Sequence, residues 1–376
     1  MGLHSSYAWP GTCRTSYIAS RNDDLTPGVG QARIWVVGLG TVGRWLLENI
    51  HSERERLLLR HGVQLEVVAV ANARDGFVHD PAGLHLDSLM ALLSAGRSIA
   101  DQPGVEHWPT ALEGLGATEA DILVEVTGSP DDGEPGAAHM RLALERGIPV
   151  VTSNKWPVAL HGVDLVRRAA HRGVRFRAEA TVMSATPVIG PLVDGIAGAR
   201  PRALRGILNA TSNYILTQMM DGHSYADALR RAEAAGLAER GVDADVKGHD
   251  AVAKMMILAA LVFGLPLRRD EVLCRPITDI TPEQIDEALA TGHRIRSVAT
   301  LEVAEETPTA RVEARVQPLA LAEDDPLAGI SGTTNAIICR SEPIGELMIT
   351  GPGAGLAFAG QGVLSDLIAV AREVAA

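Results

Sequence analysis

Short apolar runs alternate with amphipathic stretches along the first half of the chain. Four of these runs have the length and flanking residues of buried strands, at residues 33–37, 65–71, 122–127 and 150–153. Apolar positions recur at helical spacing over residues 44–59, after the first run, and over 139–146, before the last. This alternation of strands and helices predicts a doubly wound parallel sheet of the α/β class.

The pattern changes after residue 178. An apolar run at residues 204–209 predicts a strand, and a helix is predicted from Thr211 with a hydroxyl or amide N-cap. A further helix passes through Asp250 and ends near Phe263. Its sequence is apolar nearly all round, which indicates a buried helix. Because these elements no longer alternate regularly, we expect a second unit of the α+β class.

Length, net charge and cysteine positions exclude several classes of protein. The chain has 376 residues, 46% of them hydrophobic, which is enough for two packed domains. Its formal net charge of −12 argues against a nucleic-acid surface, which would need a basic patch. No apolar run approaches the ~18 residues that a membrane helix needs. Cys13, Cys274 and Cys339 are too scattered for a disulfide framework, so we expect a cytoplasmic protein.

A glycine motif directly follows the first predicted strand. Gly38-Leu39-Gly40-Thr41-Val42-Gly43 lies between that strand and a predicted helix. Strand, glycine turn and helix in this order form the fingerprint of a dinucleotide site. Gly38 permits the tight turn, Gly40 lets a pyrophosphate approach the backbone, and Gly43 lets the helix pack closely on the strand.

The ends of the other predicted strands supply more candidate cofactor residues. Ligands of doubly wound sheets bind beyond the carboxyl ends of the strands. The candidates at these ends are Thr127, Gly128, Thr152, Asn154 and Lys155. Arg74 follows the second strand, where no acidic residue stands at the tip, and its guanidinium could pair with a 2′-phosphate. This favours NADP, with NAD as the alternative.

Lysine is scarce, which draws attention to the positions where it occurs. The chain has three lysines, Lys155, Lys247 and Lys254, among 34 basic residues. Arginine can replace lysine for solubility, but only lysine has a pKa that burial can bring near neutrality. Lys155 ends the run Val-Val-Thr-Ser-Asn-Lys, just after a predicted strand, and Lys254 lies one helical turn after Asp250, so both are candidates for proton transfer. Lys247 is interpreted as a solvated surface charge.

Asp250 and Lys254 are four residues apart and therefore lie on one face of their helix. A helical pair with this spacing is more often a surface salt bridge than a catalytic pair. The helix continues as an apolar run, however, and would be buried. A lysine at the buried start of such a helix, close to carboxylates, is better explained as part of a functional site.

Several longer segments together resemble homoserine dehydrogenases over nearly all of residues 33–376. The matching segments are the glycine motif 38–43, Val-Thr-Ser-Asn-Lys (151–155), Glu-Ala-Thr-Val (179–182), Gly-Ile-Leu-Asn-Ala-Thr-Ser-Asn-Tyr-Ile-Leu (206–216), Ala-Glu (238–239), Asp-Val-Lys-Gly-His-Asp-Ala-Val-Ala-Lys (245–254), Gly-Pro-Gly-Ala-Gly (351–355) and Ser-Asp (365–366). The resemblance implies reversible hydride transfer between aspartate 4-semialdehyde and L-homoserine, in threonine and methionine biosynthesis.

The resemblance also implies roles for the charged residues. Lys254 and Asp250 would flank the reacting carbon, and Lys155 would lie near the nicotinamide and the reacting oxygen. Lys254 is the first choice as acid and base, although exchanging the roles of the two lysines also satisfies the chemistry. Glu239 and Asp245 would hold the amino-acid substrate, with Glu239 on its ammonium. Thr211 is a further candidate substrate residue.

A monovalent cation and a closing segment are implied in the same way. Main-chain carbonyls of Glu179, Val182, Ser184 and Thr186 would bind the cation, for which sodium fits. The C-terminal segment, including Gly355, would fold back to complete the cofactor cleft.

The resemblance gives a domain layout. It consists of a disordered extension at 1–31, a Rossmann-type nucleotide-binding domain at 32–178 completed by 343–376, and a catalytic and dimerisation domain at 179–342. The chain would be a homodimer or a tetramer built from two dimers. We expect neither an aspartokinase half nor a C-terminal regulatory domain, and neither nucleic-acid nor membrane partners.

The sequence also departs from the family pattern. Gly241-Val242 stands where Asp-Pro is usual, Ala210 replaces a commoner glycine, and residues 356–362 differ. The departures leave two alternatives open. One is a related oxidoreductase acting on another small amino or hydroxy acid, and the other is a catalytically silent nucleotide-binding paralogue.

Overall fold

Two β-sheets and the helices that cover them form the described part of the protein. The computed structural model describes residues 30–237, 242–304, 311–353 and 355–375. The strands are β1 (Gly30–Val37), β2 (Val63–Asn72), β3 (Gly76–His79), β4 (Glu106–Trp108), β5 (Ile122–Glu125), β6 (Val150–Thr152), β7 (Phe176–Arg177), β8 (Arg200–Ile207), β9 (Val272–Cys274), β10 (His293–Ala304), β11 (Arg311–Ala322), β12 (Thr334–Glu342) and β13 (Gly345–Pro352). The helices are α1 (Thr41–Ser52), α2 (Arg54–His61), α3 (Leu86–Ser94), α4 (Ala111–Ala117), α5 (Gly136–Glu145), α6 (Lys155–Arg172), α7 (Ala180–Met183), α8 (Ala210–Met220), α9 (Tyr225–Ala234), α10 (Val242–Val246), α11 (His249–Val262), α12 (Pro282–Ala290) and α13 (Leu356–Val374).

The first sheet has the predicted doubly wound topology. Its strand order is β4-β3-β2-β1-β5-β6-β7. Strands β2, β1, β5, β6 and β7 are parallel, whereas β3 and β4 form an antiparallel edge. The strand order reverses between β1 and β5, and a crevice at this point is the usual ligand site of such sheets. Apolar side chains of α1 and α13 pack with those of β1, β2 and β5 in one core.

The second sheet has the order β13-β12-β8-β10-β11-β9. Its strands are antiparallel except for the pair β11–β9. Helix α11 covers this sheet, and its residues from Ala251 to Ala260 are buried, as the apolar sequence predicted. A mixed unit of this kind, beside the parallel sheet, confirms the predicted fold class. Among the described residues, no helix is long and apolar enough to cross a membrane.

Some predicted boundaries differ from the structure. The helix predicted over 44–59 is two helices, because Glu53 leaves helical geometry with φ −104° and ψ 12° between α1 and α2. The strand predicted to reach residue 127 ends at Glu125, which leaves Thr127 and Gly128 in the following loop. The helix predicted from Thr211 begins at Ala210.

The two ends of the chain also differ in detail from the predicted layout. Residues 1–29 of the predicted extension lie outside the described residues, and Gly30 and Gln31 already belong to β1. Of the C-terminal segment 343–376, β13 pairs with β12 in the second sheet. Helix α13 returns to the first sheet, where Gly360 leaves room for the Trp45 ring of α1.

Candidate functional site

The glycine turn after β1 has the close contacts that its sequence predicted. Gly38 has a φ of +112°, and a Cβ on it would lie 2.6 Å from the Val126 carbonyl carbon. A Cβ on Gly43 would lie 1.9 Å from the Gly38 carbonyl oxygen, so α1 can approach β1 only with glycine here. At Gly40, in contrast, a Cβ would meet nothing within 4 Å. The backbone of Gly40 therefore faces the space that a pyrophosphate would need.

The N-terminus of α1 is suited to an anion. Gly40 is the N-cap residue and supplies no side-chain cap, and the first turn contains no acidic residue. Thr41 is exposed and Val42 is half-buried. The unpaired N–H groups and the positive end of the helix dipole thus lie free at the strand-order reversal, where a dinucleotide phosphate would bind.

A buried carboxylate, which sequence reasoning missed, organises the loops after β5 and β6. Glu125 has no exposed surface. Its carboxylate accepts hydrogen bonds from the Thr127 hydroxyl and, at 3.0 Å, from the Asn154 amide. The Thr152 hydroxyl donates to the main-chain carbonyl of Glu125 at 2.7 Å. One hydrogen-bond network at the carboxyl edge of the first sheet therefore joins Glu125 to three predicted cofactor residues, Thr127, Thr152 and Asn154. The sequence did contain a signal for this role, because Glu125 is an acidic residue at the end of an otherwise apolar strand.

Close packing of two helices brings Lys155 to the second unit. Lys155 is the first residue of α6, directly after Asn154, and Asp250 lies in the first turn of α11. A Cβ on Gly162 of α6 would lie 2.8 Å from the Cβ of Ala260 on α11. Because glycine allows this approach, the starts of the two helices face each other and Lys155 Nζ reaches Asp250 Oδ1 at 2.5 Å.

Asp250 bridges both candidate lysines. Its other oxygen, Oδ2, lies 2.8 Å from Lys254 Nζ, as the four-residue spacing predicted. The Lys254 ammonium also donates to the main-chain carbonyl of Leu208 at 2.6 Å. The side chains of Asp250 and Lys254 are each 10% exposed, whereas that of Lys155 is 42% exposed. Lys247, by contrast, makes an exposed ion pair with Asp243, which confirms it as a surface charge.

Charge pairing sets the protonation of this group. Burial opposes the charge on Asp250, but the ammonium groups of Lys254 and Lys155 outweigh that effect and hold the pKa of the carboxyl well below its usual range. The Asp250 carboxylate in turn raises the pKa of the Lys155 ammonium, against the opposing effect of burial. The carboxylate therefore stays ionised, and Lys155 is held in its protonated form.

Asn209 extends the network to a second carboxylate. Its amide donates to Asp245 Oδ1 at 2.7 Å and to Asp250 Oδ2 at 3.0 Å, and its carbonyl caps α8 by accepting the Ser212 N–H at 2.8 Å. Burial and the nearby Asp250 charge raise the pKa of the half-buried Asp245 carboxyl. A cationic group beside Asp245 would relieve this unfavourable charge, so the position suits a substrate ammonium.

The other predicted substrate residues have different surroundings. Thr211 is buried, and its hydroxyl donates to the Leu237 carbonyl at 2.8 Å. The same hydroxyl is close enough to Asp245 to oppose the rise in the pKa of that carboxyl. Glu239, together with Gly241 of the departing Gly241-Val242 pair, lies outside the described residues.

Arg74 lies at the tip of β2, and its guanidinium is already partnered. It binds both oxygens of Asp75 and donates to the main-chain carbonyls of Gly96 and Arg97. The side chain remains 58% exposed. Asp75 therefore fixes the guanidinium at the strand tip and offsets part of its charge.

The predicted cation site, residues 179–186, contacts the chain just before Gly355. The Glu179 carboxylate accepts the N–H groups of Val188, Ile189 and Gly190 at 2.5 to 2.7 Å, so both of its oxygens are bound by the backbone. Ser184 has a φ of +57°, which turns the chain sharply. The Thr186 hydroxyl donates to the Pro352 carbonyl at 3.4 Å, which joins this segment to the loop before Gly355.

Asp366 of α13 lies against the same segment and is expected to make stability depend on pH. It accepts the Glu179 N–H at 2.8 Å, and burial, together with the Glu179 charge, raises its pKa to about 7. An aspartate whose folded-state pKa exceeds its usual 3.8 stabilises the fold when protonated, and this contribution is lost as pH rises through about 7. Asp366→Asn should therefore raise the free energy of unfolding at alkaline pH, by at most about 4 kcal/mol.

Chemical denaturation of Asp366→Asn and the parent chain at about pH 5 and about pH 8 measures this effect. The gain should be clearly larger at the higher pH, because at about pH 5 the folded-state carboxyl is still protonated, whereas the unfolded one is already mostly ionised. Asp243→Asn, which changes an exposed carboxylate of α10, is the control and should give no such gain. Equal stability of Asp366→Asn and the parent at both pH values would contradict the assignment.

Comparison with known proteins gives matches for both units of the chain. A family model described as homoserine dehydrogenase matches residues 187–368, and one described as homoserine dehydrogenase, NAD binding domain, matches residues 38–179. The NAD(+)-dependent homoserine dehydrogenase of Pseudomonas canavaninivorans is 37% identical over 339 residues, which are 89% of this chain and 95% of the relative. The homoserine dehydrogenase of Mycobacterium tuberculosis is 35% identical over 341 residues, covering 90% of this chain and 72% of that protein.

Solved structures agree. A homoserine dehydrogenase from Thiobacillus denitrificans superposes with a TM-score of 0.75 at 30% identity, covering 91% of this chain and 73% of the other. A hyperthermophilic archaeal homoserine dehydrogenase in complex with NADPH gives a TM-score of 0.75 at 28% identity, covering 91% and 98%. Together with the glycine turn and the lysine–aspartate group, these matches show that the chain belongs to the homoserine dehydrogenase family and binds a nicotinamide dinucleotide.

Proposed function

We propose that this protein is an NAD(P)-dependent homoserine dehydrogenase, which interconverts aspartate 4-semialdehyde and L-homoserine in amino-acid biosynthesis. The observation that carries the proposal is the Asp250 carboxylate shared by two ammonium groups, 2.5 Å from Lys155 Nζ and 2.8 Å from Lys254 Nζ. Lys155 lies at the carboxyl edge of the dinucleotide-binding sheet and Lys254 in the second unit. The cluster therefore joins the two units where a substrate could meet the cofactor.

A bound nicotinamide dinucleotide would supply or take up the hydride, held by Gly38, Gly40, Gly43 and the loops at Thr127 and Asn154. Side chains of the protein would supply or accept the proton. When the aldehyde is reduced, its oxygen gains negative charge and needs a proton donor. Lys254 is our candidate donor, because Leu208 and Asp250 fix two directions of its ammonium, and no described residue takes the third. Lys155 would stabilise the same oxygen.

Substrate recognition would depend on the carboxylates beside this cluster. Partial burial and the nearby Asp250 charge raise the pKa of Asp245, and a substrate ammonium would compensate the charge of this carboxylate. We propose Asp245 and Glu239 as the residues that hold the amino group, with Thr211 supporting Asp245. The 179–342 region would carry catalysis and dimerisation, in a homodimer or a tetramer. Cys274 and Cys339 are unpaired, which fits our expectation of a cytoplasmic protein.

Steady-state reduction of the dinucleotide by L-homoserine tests the proposed activity, with NADP and NAD supplied in parallel. We expect turnover with homoserine. Turnover only with another small amino or hydroxy acid would favour the related oxidoreductase. Dinucleotide binding without turnover on any of these compounds would indicate a silent paralogue.

For the cofactor we propose NADP as the preferred form, with NAD also accepted. An exposed arginine at the tip of β2 supports NADP, since a guanidinium can pair with a 2′-phosphate. Two observations favour NAD as the second candidate. Asp75 neutralises part of the Arg74 charge, and the Pseudomonas canavaninivorans relative is named as NAD(+)-dependent.

Arg74→Ala should separate the two cofactors. A charge-assisted hydrogen bond contributes about 1.5–3 kcal/mol, so the substitution should lower kcat/KM for NADP by roughly 10- to 100-fold. The value for NAD should stay nearly unchanged, because NAD lacks the 2′-phosphate, and it serves as the internal control. Equal losses with both cofactors would remove Arg74 as the selecting residue.

For the cation we propose main-chain ligation by Glu179, Val182, Ser184 and Thr186, with sodium as the ion. The Glu179 side chain is occupied by three N–H groups, which leaves carbonyl oxygens as the donors, and oxygen ligands suit a hard cation. The Glu179 and Asp366 carboxyls next to this segment also favour positive charge.

Activity should be higher in sodium chloride than in choline chloride at equal ionic strength. Equal rates in the two salts would argue against the site.

A further inference from the structure

A two-residue connection between β8 and α8 carries the anchors of the catalytic cluster. Strand β8 ends at Ile207 and α8 begins at Ala210, so Leu208 and Asn209 form the whole connection. The Leu208 carbonyl accepts the Lys254 ammonium, and the Asn209 amide binds both Asp245 and Asp250. The position of this short connection therefore determines where Lys254 and both carboxylates lie.

One buried side chain holds the connection from the neighbouring strand. In the antiparallel pairing of β12 with β8, Ala336 lies opposite Ile207, which places Asn335 next to Leu208. The Asn335 amide donates to the Leu208 carbonyl at 3.1 Å, on the same oxygen that accepts Lys254 Nζ at 2.6 Å. Asn335 has no exposed surface. A carbonyl oxygen has two lone pairs, and these two donors use both.

The other end of the same amide touches the glycine-rich loop before α13. A Cβ on Gly353 would lie 2.3 Å from Asn335 Oδ1, so this loop packs directly on the amide. The Gly353 N–H donates to the Thr333 carbonyl at 3.0 Å, and a Cβ on Gly351 would lie 2.1 Å from the Thr186 hydroxyl oxygen. Asn335 thus fills the space between the Lys254 anchor and the loop that leads to Gly355.

We propose that Asn335 is a positioning residue for Lys254, which it holds through the shared Leu208 carbonyl while it supports residues 351–353 at the end of β13. The inference rests on the proposed role of Lys254 in proton transfer. Loss of the amide leaves the carbonyl with one donor and opens a void beside Gly353. The Leu208–Asn209 connection can then shift. The Lys254 ammonium would shift with it, so that its third N–H no longer points towards the substrate oxygen. Displacements of this size reduce turnover strongly, since catalysis depends on close alignment.

Asn335→Ala should lower kcat by roughly 10- to 100-fold at saturating substrate and cofactor, and change the dissociation constant of the dinucleotide by less than about threefold. Asn213→Ala is the matched control. Asn213 is equally buried and donates to a main-chain carbonyl at 3.1 Å, but that carbonyl belongs to Thr334 and anchors no lysine. The control should lose similar thermal stability and keep kcat within about threefold of the parent.

A double-mutant cycle with Lys254→Ala separates positioning from general stability. If Asn335 acts through Lys254, Asn335→Ala should have almost no further effect on the residual rate of Lys254→Ala. Additive effects, or equal kcat losses in Asn335→Ala and Asn213→Ala, would overturn the inference and leave the lysine assignment intact. Near-normal turnover by Lys254→Ala would overturn the assignment itself, and with it the inference.

Discussion

Replacing Lys254 with alanine is expected to lower kcat for homoserine oxidation by about 10²- to 10⁴-fold, the range that a positioned acid or base contributes. The ammonium is 10% exposed and held by Asp250 and Leu208, so water has little access to take its place. Dinucleotide binding should change little, because the residues proposed to hold the dinucleotide belong to the first unit, whereas Lys254 contacts Asp250 and Leu208 of the second. Steady-state kinetics and a binding titration with the same preparation measure both quantities.

Lys247→Ala is the matched control for this substitution. Lys247 lies seven residues before Lys254 and has the same four-residue spacing to an aspartate, but its side chain is 51% exposed. It should retain nearly normal turnover. If Lys254→Ala also kept normal turnover, Lys155 would become the candidate for proton transfer.

Asp250→Asn is expected to have the second large effect, because it leaves two ammonium groups facing each other without their shared carboxylate. We expect kcat to fall at least about 100-fold, and stability to fall by about 3–5 kcal/mol, as when one partner of a buried ion pair is removed. The pH profile should change as well. Asp250 is the main cause of the raised pKa of Lys155, so its loss lets burial lower that pKa. Aldehyde reduction, which needs protonated ammonium, should then decline at lower pH than in the parent.

Rate measurements across pH, well below the unfolding temperature of the variant, test this expectation. Asp243→Asn provides the control, since Asp243 pairs with Lys247 at 2.7 Å and its side chain is 75% exposed. Exposed pairs contribute little, so its kinetics and stability should match the parent closely. An unchanged pH profile in Asp250→Asn would mean that the carboxylate does not control the charge on Lys155.

The parts of the site that follow from local spacing were predictable from the sequence. The glycine motif predicted the turn between β1 and α1, because only glycine tolerates a φ of +112° at Gly38 and the 1.9 Å approach at Gly43. Helical geometry predicted that Asp250 and Lys254 share a face, and the apolar run after them predicted burial. These features depend on a few neighbouring residues, so a local pattern specifies them.

Other parts depend on packing between distant segments and were missed for that reason. The Leu208 anchor is a main-chain carbonyl, a group that every residue carries, so no residue type marks it. The contact of Lys155 with Asp250 spans 95 residues and requires the close approach at Gly162. At Arg74, the sequence predicted a guanidinium that could pair with a 2′-phosphate, and the structure adds that the adjacent Asp75 already binds it. The break at Glu53 likewise interrupts a helical pattern that continues in the sequence.

The most direct test of the account is to follow the hydride itself. Purified protein would reduce aspartate 4-semialdehyde with a nicotinamide dinucleotide that carries deuterium at the transferable position, and mass spectrometry would locate the label in the product. We predict L-homoserine with a single deuterium on its hydroxyl-bearing carbon, formed by the parent chain and suppressed in Lys254→Ala. Unlabelled homoserine, or no homoserine from folded protein that binds the dinucleotide, would contradict the proposed reaction.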